Sequence, residues 1–390
     1  MKIYAFEVSD YEIEYFKQME KTLNVSIELF SGLMDFGNLP DFEEGSGVCV
    51  LALREYHKEE LDILKEAGVR YFSTRTVGYN HIDVAYAKEI GLHVCAGAYP
   101  PNGVADYTVM MILLCLRNYK QALWRTQVND FSLDGLMGRE LKDLTIGILG
   151  TGKIGACVAR NLSGFGCKLI AYDQYENDSI KDIVTYMDLE DIYRKADVIT
   201  LHMPLFDSTY HIINDESIAK MKDGVIILNF ARDLLVDDDA MEAALKSGKV
   251  KRYITDFPND RTAKMEGVVA IPHLGASTEE SEDNCAKMAV RQVMDFLENG
   301  NIINSVNFPN CDMGVCNKAS RITILHKNIP NTLSKFTMVL STEDINISDL
   351  VNRSRGEYAY TMLDLDHVPS ETAVAMLKKI DGVLRVRVIR

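Results

Sequence analysis

A glycine-rich turn, an arginine and a histidine are the residues of this 390-residue chain whose types and spacing could do chemistry. The apolar run 145–149 leads into Gly150-x-Gly152-x-x-Gly155, and a helical pattern follows. Gly150 permits a tight turn, Gly152 lets backbone approach a pyrophosphate, and Gly155 lets the helix pack against its strand. The N-terminus of that helix then faces the phosphates. A second apolar run ends at Ala171-Tyr172-Asp173, which puts Asp173 18 residues beyond Gly155. A carboxylate there accepts hydrogen bonds from a ribose 2′-hydroxyl and repels a 2′-phosphate, so NAD is expected rather than NADP. The competing reading is a structural glycine turn.

Moving a hydride to or from a hydroxy acid calls for three further groups: a cation for the carboxylate, an acid/base for the hydroxyl proton, and an acid that tunes that base. Arg232 closes Asn229-Phe230-Ala231-Arg232 and offers a bidentate fork. His273 follows Val269-Ala270-Ile271-Pro272, and an imidazole with an unperturbed pKa of ~6.5 suits proton transfer near neutrality. Both fall just past expected strand ends, where open α/β sheets bind ligands. Taken singly, Arg232 reads equally as a surface ion-pair residue and His273 as a satisfied loop histidine. His202, after Ile199-Thr200-Leu201, reads as structural or cofactor-contacting.

These groups need an alternating scaffold. Strands are expected over 3–8, 47–53, 69–74, 145–149, 168–172, 198–202, 225–229, 252–255 and 268–271. Helical patterns over 59–67, 84–90, 105–117, 154–164, 189–195, 238–246 and 279–297 separate many of them. Such alternation implies parallel sheets with right-handed crossovers. Turn-rich breaks fall at 99–103 and 307–314, and beyond them the chain reads βαββαβ, the ferredoxin-like order. Hydrophobic residues are 47% and the net charge is −15, so the chain is globular and poorly suited to phosphate backbones. No run approaches the ~18 apolar residues of a membrane span, and early acidic residues argue against a signal peptide. None of the eight cysteines has zinc spacing; they read as core thiols of a reducing cytoplasm, with Cys311 and Cys316, in a polar linker, the only candidates for exposed thiols. No metal site is expected.

Over about residues 45–308 the chain resembles the D-isomer-specific 2-hydroxy-acid dehydrogenases. The matching stretches are Thr74-Arg75-x-x-Gly78-Tyr79-Asn80-x-Ile82-Asp83, the glycine turn with Asp173, His202-Met203-Pro204-Leu205, Asn229-x-x-Arg232-x-x-x-Val236-Asp237 and Pro272-His273-x-Gly275-Ala276-Ser277. The resemblance implies that Arg232 holds the substrate carboxylate and carbonyl, that His273 is the acid/base, and that backbone at Val77-Gly78 grips the carboxylate. Lys153, Ile154, His202, Met203, Pro204, Phe230, Ala231, Arg232, Asp256 and His273 are assigned to the cofactor with the glycines and Asp173. The family's glutamate partner of the histidine has no clean equivalent: Arg261 takes its place without a gap and Asp260 with one deletion, and Asp260 is the expected partner.

The implied architecture is α/β. A flavodoxin-like substrate domain (1–98 and 280–308) carries an inserted Rossmann NAD-binding domain (99–279). A linker (309–319) and a ferredoxin-like ACT domain (320–390) follow. Residues 70–230 are similar to D-lactate dehydrogenases, in which a tyrosine placed like Tyr99 reaches a small 2-oxo acid. The stretch from Pro272 and the tail are similar to phosphoglycerate dehydrogenases, and Leu325-His326-x-Asn328-x-Pro330 with Asn346-Ile347 implies an L-serine effector bound by His326, Asn328 and Asn346. The tail otherwise reads as an oligomerisation module that binds nothing. The expected enzyme is therefore a cytoplasmic, homodimeric or homotetrameric NAD-dependent phosphoglycerate dehydrogenase. Arg54 and Arg75 are its candidate phosphate ligands, or else surface ion pairs. A D-lactate dehydrogenase or other small 2-oxo-acid reductase is the alternative, and a non-enzymatic NAD(H) or amino-acid sensor the alternative class.

Overall fold

Two parallel sheets and one antiparallel sheet organise the chain in a computed structural model that describes residues 2–51, 53–98 and 100–389. The first contains β1 (Lys2–Ala5), β2 (Ser26–Leu29), β3 (Gly47–Val50), β4 (Tyr71–Thr74) and β5 (His93–Cys95). They run parallel in the order β2-β1-β3-β4-β5, the flavodoxin-like order. Strands β3 and β4 are buried along their whole length; β3 is Gly-Val-Cys-Val, and β4 closes on the buried hydroxyl residues Ser73 and Thr74. Sequence patterning passes over β2 and β5. The first is an edge strand carrying Ser26 and Glu28, and the second is three residues beginning with the buried His93. It also passes over the helix Asp10–Leu23, which a Ser9–Glu12 capping box starts.

The second sheet contains β6 (Thr145–Leu149), β7 (Lys168–Tyr172), β8 (Thr185–Tyr186), β9 (Val198–Leu201), β10 (Val225–Asn229), β11 (Val250–Thr255) and β12 (Val268–Ala270). Its parallel order is β12-β11-β10-β9-β6-β7-β8. Chain order therefore reverses between β6 and β9, and the crevice beyond that reversal is where doubly wound sheets bind nucleotides. Helices Asn102–Leu116 and Lys153–Ser163 cover one face, and Leu189–Lys195 and Asp238–Ser247 the other.

The third sheet contains β13 (Ser320–Lys327), β14 (Ile347–Arg355), β15 (Tyr358–Leu365) and β16 (Val383–Ile389), antiparallel in the order β14-β15-β13-β16. With helices Thr332–Ser341 and Glu371–Lys378 on one face, this is the ferredoxin-like βαββαβ topology. Its other face is buried too. Leu325, Tyr358, Tyr360 and Met362 join Phe296, Phe308 and Tyr71 in the core around helix Glu279–Asn299. Arg321, fully buried, pairs with Asp364 and donates to the carbonyls of Asn299 and Gly314.

Contacts divide the chain into two units, Met1–Tyr99 with Glu279–Arg390, and Pro100–Thr278. The four-stranded tail thus belongs to the unit of the first sheet. The connection before it is no free linker: Cys311 pairs backbone to backbone with Ile302, and its side chain is buried. That removes Cys311 from the candidates for an exposed thiol, and burial pushes its thiol up to about 11. No helix among the described residues is long and apolar enough to cross a membrane.

Candidate active site

The glycine turn lies at the carboxyl end of β6, beside the end of β9. Gly150 has φ +92°, a left-handed conformation that favours glycine. A Cβ on Gly155 would stand 1.9 Å from the Gly150 carbonyl oxygen, so any side chain there would push the helix off the turn. A Cβ on Gly152 would meet nothing within 4 Å. The turn is therefore tight beneath and open above, at the N-terminus of the helix opened by Lys153 and Ile154, which is the cradle a pyrophosphate needs.

Asp173 follows β7 and is pinned rather than loose. Its carboxylate accepts from the Thr151 amide at 2.6 Å, the Thr151 hydroxyl at 3.2 Å and the Tyr175 amide at 3.0 Å. Thr151 is itself buried and bonded to the Tyr186 hydroxyl at 2.9 Å. Across the crevice, His202 Nε2 shares a hydrogen bond with the Thr200 hydroxyl at 2.9 Å. Burial holds this imidazole down to about 4, so it is neutral at pH 7, and its buried Nδ1 has no hydrogen-bond partner among the described residues. Buried Met203 and exposed Pro204 continue the same strand end.

The ends of β10, β11 and β12 bring Arg232, Asp256 and His273 together around an aromatic ring. Asn229, buried at the end of β10, accepts from the Ala231 amide and donates to the Arg232 carbonyl at 2.8 Å, which shapes the turn that presents the arginine. The Arg232 guanidinium stands 5.8 Å from the Phe257 ring centroid, and the His273 ring lies 4.5 Å from the same ring. Partial burial against its neighbours, and then the Arg232 charge, lower the His273 pKa. Asp256 is buried, with Oδ1 unpartnered, and burial pushes it up to about 7 despite the Gly275 amide and Arg232. Phe230, buried, meets Tyr107 edge to face at 5.6 Å and completes the apolar lining. The orphaned His202 Nδ1 and Asp256 Oδ1, with the open glycine turn, fit a dinucleotide that carries polar groups along this sheet edge.

Several expectations need correction. Asp260 is exposed and makes no hydrogen bond or ion pair among the described residues, so the structure does not bring it to His273. Arg261 turns the other way, to Asp239 and Glu242 on helix Asp238–Ser247. No carboxylate is among the groups that perturb His273. Arg54 is taken up by the Met34 carbonyl at 2.7 Å, by Glu60 and by the Phe36 ring. Arg75 is 2% exposed and grips Glu12 with two nitrogens, donating also to the carbonyls of Phe6 and Glu7. Neither guanidinium is left to read a phosphate.

The Val77-Gly78 loop after β4 is ordered by hydroxyls: Thr76 Oγ1 donates to the Gly78 carbonyl at 2.7 Å and bonds Thr74 Oγ1 at 2.7 Å. The amides of Val77 and Gly78 make no hydrogen bond among the described residues. Tyr99 lies outside the described residues.

In the tail, His326 is buried and satisfied, by Thr361 Oγ1 at 2.8 Å and the Lys327 carbonyl at 2.8 Å. Asn328 donates to the Gly356 carbonyl at one end of the sheet. Asn346 sits by Asp366 at the other end, about 30 Å away at ~3.3 Å per strand residue. The three expected effector ligands therefore form no cluster within the chain.

Sequence reasoning missed Thr151, Asn229 and Phe257. Asn229 carried a signal, a polar residue closing an apolar strand next to a candidate arginine. Phe257 carried none, because an aromatic residue after a strand is ordinarily core.

Residues 109–275 match the family model for the D-isomer specific 2-hydroxyacid dehydrogenase, NAD binding domain. The chain is 39% identical to the aromatic 2-oxoacid reductase of Clostridium sporogenes over 320 residues, covering 76% of this chain and 96% of that protein. It is 34% identical to the D-lactate dehydrogenase of Escherichia coli, covering 67% of this chain and 80% of that one. The structure of D-2-hydroxyisocaproate dehydrogenase matches with a TM-score of 0.71 at 30% identity, covering 79% of this chain and 100% of that one. These relatives agree better with the alternative, a reductase of lactate type, than with the phosphoglycerate expectation, and they lend its serine feedback no support. Identity and coverage at this level are those of one family: the chain belongs to the D-isomer-specific 2-hydroxyacid dehydrogenases, NAD-dependent oxidoreductases that act on the CH–OH group of a 2-hydroxy acid.

Proposed function

We propose that this dehydrogenase reduces small unphosphorylated 2-oxo acids, with aliphatic or aromatic side chains, to D-2-hydroxy acids. The observation that carries this reading is the fate of Arg54 and Arg75. Both are committed to partners inside their own unit, which removes the cations that would have favoured a phosphorylated substrate. The names of the relatives, an aromatic 2-oxoacid reductase and a D-lactate dehydrogenase, support it.

In this reading Arg232 forks onto the substrate carboxylate and carbonyl oxygen, and polarises the carbonyl. His273, protonated, gives its proton to that oxygen as the C–O double bond becomes a single bond, and takes it back in oxidation. When bound, the nicotinamide supplies or accepts the hydride. Phe257 keeps the imidazole and guanidinium on one apolar platform, which excludes water from their inner faces. The free amides of Val77 and Gly78 keep the carboxylate role that the family resemblance gives them.

The test offers purified enzyme phenylpyruvate, pyruvate and phosphohydroxypyruvate with NADH, with absorbance followed at the nicotinamide band. One or both unphosphorylated acids are expected to exceed phosphohydroxypyruvate in kcat/KM by at least ~10-fold, since one lost charged contact is worth ~1.5–3 kcal/mol. A preference for phosphohydroxypyruvate would overturn the proposal.

The cofactor preference has its own test. In this reading the Asp173 carboxylate accepts from the ribose 2′-hydroxyl and would repel a 2′-phosphate, so NADPH is expected to be a much poorer reductant than NADH. Asp173→Asn removes the repelling charge and is expected to narrow the gap; an unchanged NADH/NADPH ratio would show that another group sets the preference.

A further inference from the structure

The unit built on the first sheet contains a cluster of cationic side chains that the chemistry above does not use. A cleft of about 380 Å³ is lined by Arg70, Lys378, Arg385, Arg387 and Glu44, together with apolar residues of β16. It lies where β16, the edge strand of the four-stranded sheet, meets the turns before β3 and β4. Arg385 and Arg387 are two residues apart on one strand and so share a face. That face is turned to Phe296, whose ring centroid is 5.6 Å from one guanidinium and 4.4 Å from the other.

The arginines differ in how they are satisfied. Arg387 donates to the carbonyls of Phe296 and Leu297 at 3.0 and 2.9 Å. Arg70 donates to the Lys65 carbonyl at 2.7 Å and pairs with Glu44. Arg385 has no such outlet: its Nη2 is buried with no hydrogen-bond partner among the described residues. Burial, with Arg387 and Arg70 close by, lowers its pKa to about 10. A buried guanidinium nitrogen without an acceptor is costly, and native structures rarely leave one so. Glu44 is the one carboxylate among the described lining residues, against four cations.

We propose that this cleft binds a small oxyanion, a phosphate ester or a polycarboxylate, which accepts from Arg385 and is held by Lys378, Arg70 and Arg387. Guanidinium forks match both carboxylate and phosphate oxygens, and a cleft of this volume admits a small metabolite. The anion would join the four-stranded domain to the first sheet and stabilise that junction by binding only the folded form. The ligands are not His326, Asn328 and Asn346, and the proposal does not rest on the reductase reading.

The experiment measures thermal unfolding and calorimetric binding of the full chain with inorganic phosphate and with citrate. Sodium chloride at matched ionic strength is the control for screening. At least one anion is expected to bind and to raise Tm beyond chloride; whichever binds more tightly identifies the source chemistry. Lys378→Glu, at an exposed position, is expected to weaken binding at least ~10-fold without loss of folding, and Arg385→Gln to abolish it. Arg232→Lys is the control for binding at the catalytic arginine and should leave the response intact. Equal responses in wild type and Lys378→Glu, loss of the response in Arg232→Lys, or no advantage of either anion over chloride would overturn the proposal. If Arg385→Gln does not fold, Lys378→Glu alone decides.

Discussion

His273→Ala is expected to lower kcat by ~10²–10⁴-fold, the range that a positioned general acid contributes. Stability should hardly change, because the side chain is exposed and makes no hydrogen bond among the described residues. NADH should still bind, as read by its fluorescence. The pH dependence carries the sign. In the proposed mechanism reduction needs the imidazolium, and partial burial with the Arg232 charge lowers the His273 pKa below its ordinary value of ~6.5. For the free enzyme, kcat/KM for reduction should therefore fall as pH rises through that lowered value, and oxidation should gain over the same range. Arg232→Gln removes a positive neighbour, so the residual reduction profile should move to higher pH. His273→Ala should lose the limb altogether. Retention of most activity by His273→Ala would assign the proton to another group.

Glu12→Ala is expected to destabilise the unit of the first sheet by ~3–5 kcal/mol, the cost of leaving a buried charge without its partner. Glu12 and Arg75 are 1% and 2% exposed, and the guanidinium contacts both carboxylate oxygens. The same carboxylate accepts from the Ser9 amide at 2.9 Å, so the substitution also removes half of a capping box. Urea unfolding measures the loss. Replacing both partners together, Glu12→Leu with Arg75→Met, should cost less than the single change, because no charge is then stranded. The folded fraction of Glu12→Ala should keep its KM for 2-oxo acids. A loss below ~1 kcal/mol would mean that the pair is solvated, and Arg75 would return as a candidate ligand.

Much of the scaffold was legible in the sequence because its causes are local. Thr145–Leu149, Lys168–Tyr172 and Val225–Asn229 are strands with the bounds that patterning assigns, since a strand buried on both faces is an apolar run with turn residues at each end. Gly150, Gly152 and Gly155 could be read because positive φ, an open side and a 1.9 Å approach are demands on backbone that only glycine meets. The order of elements over the last 70 residues likewise follows from periodicity and turns.

What the tertiary structure decided are side-chain partnerships. Arg75 and Arg232 both follow buried strands, yet one grips Glu12, 63 residues away, while the other donates to the Ala231 carbonyl and stands beside Phe257 and His273. No local pattern encodes that difference. Arg261 turns to Glu242 rather than to His273 because the helix Asp238–Ser247 presents two carboxylates nearby. His326 lies under Phe336, with both ring nitrogens bonded, and cannot serve as an open ligand. Residue type and spacing specify what a side chain can bond. Whether that capacity is left for a ligand depends on donors and acceptors that only folding brings within ~3 Å, so it is decided in three dimensions.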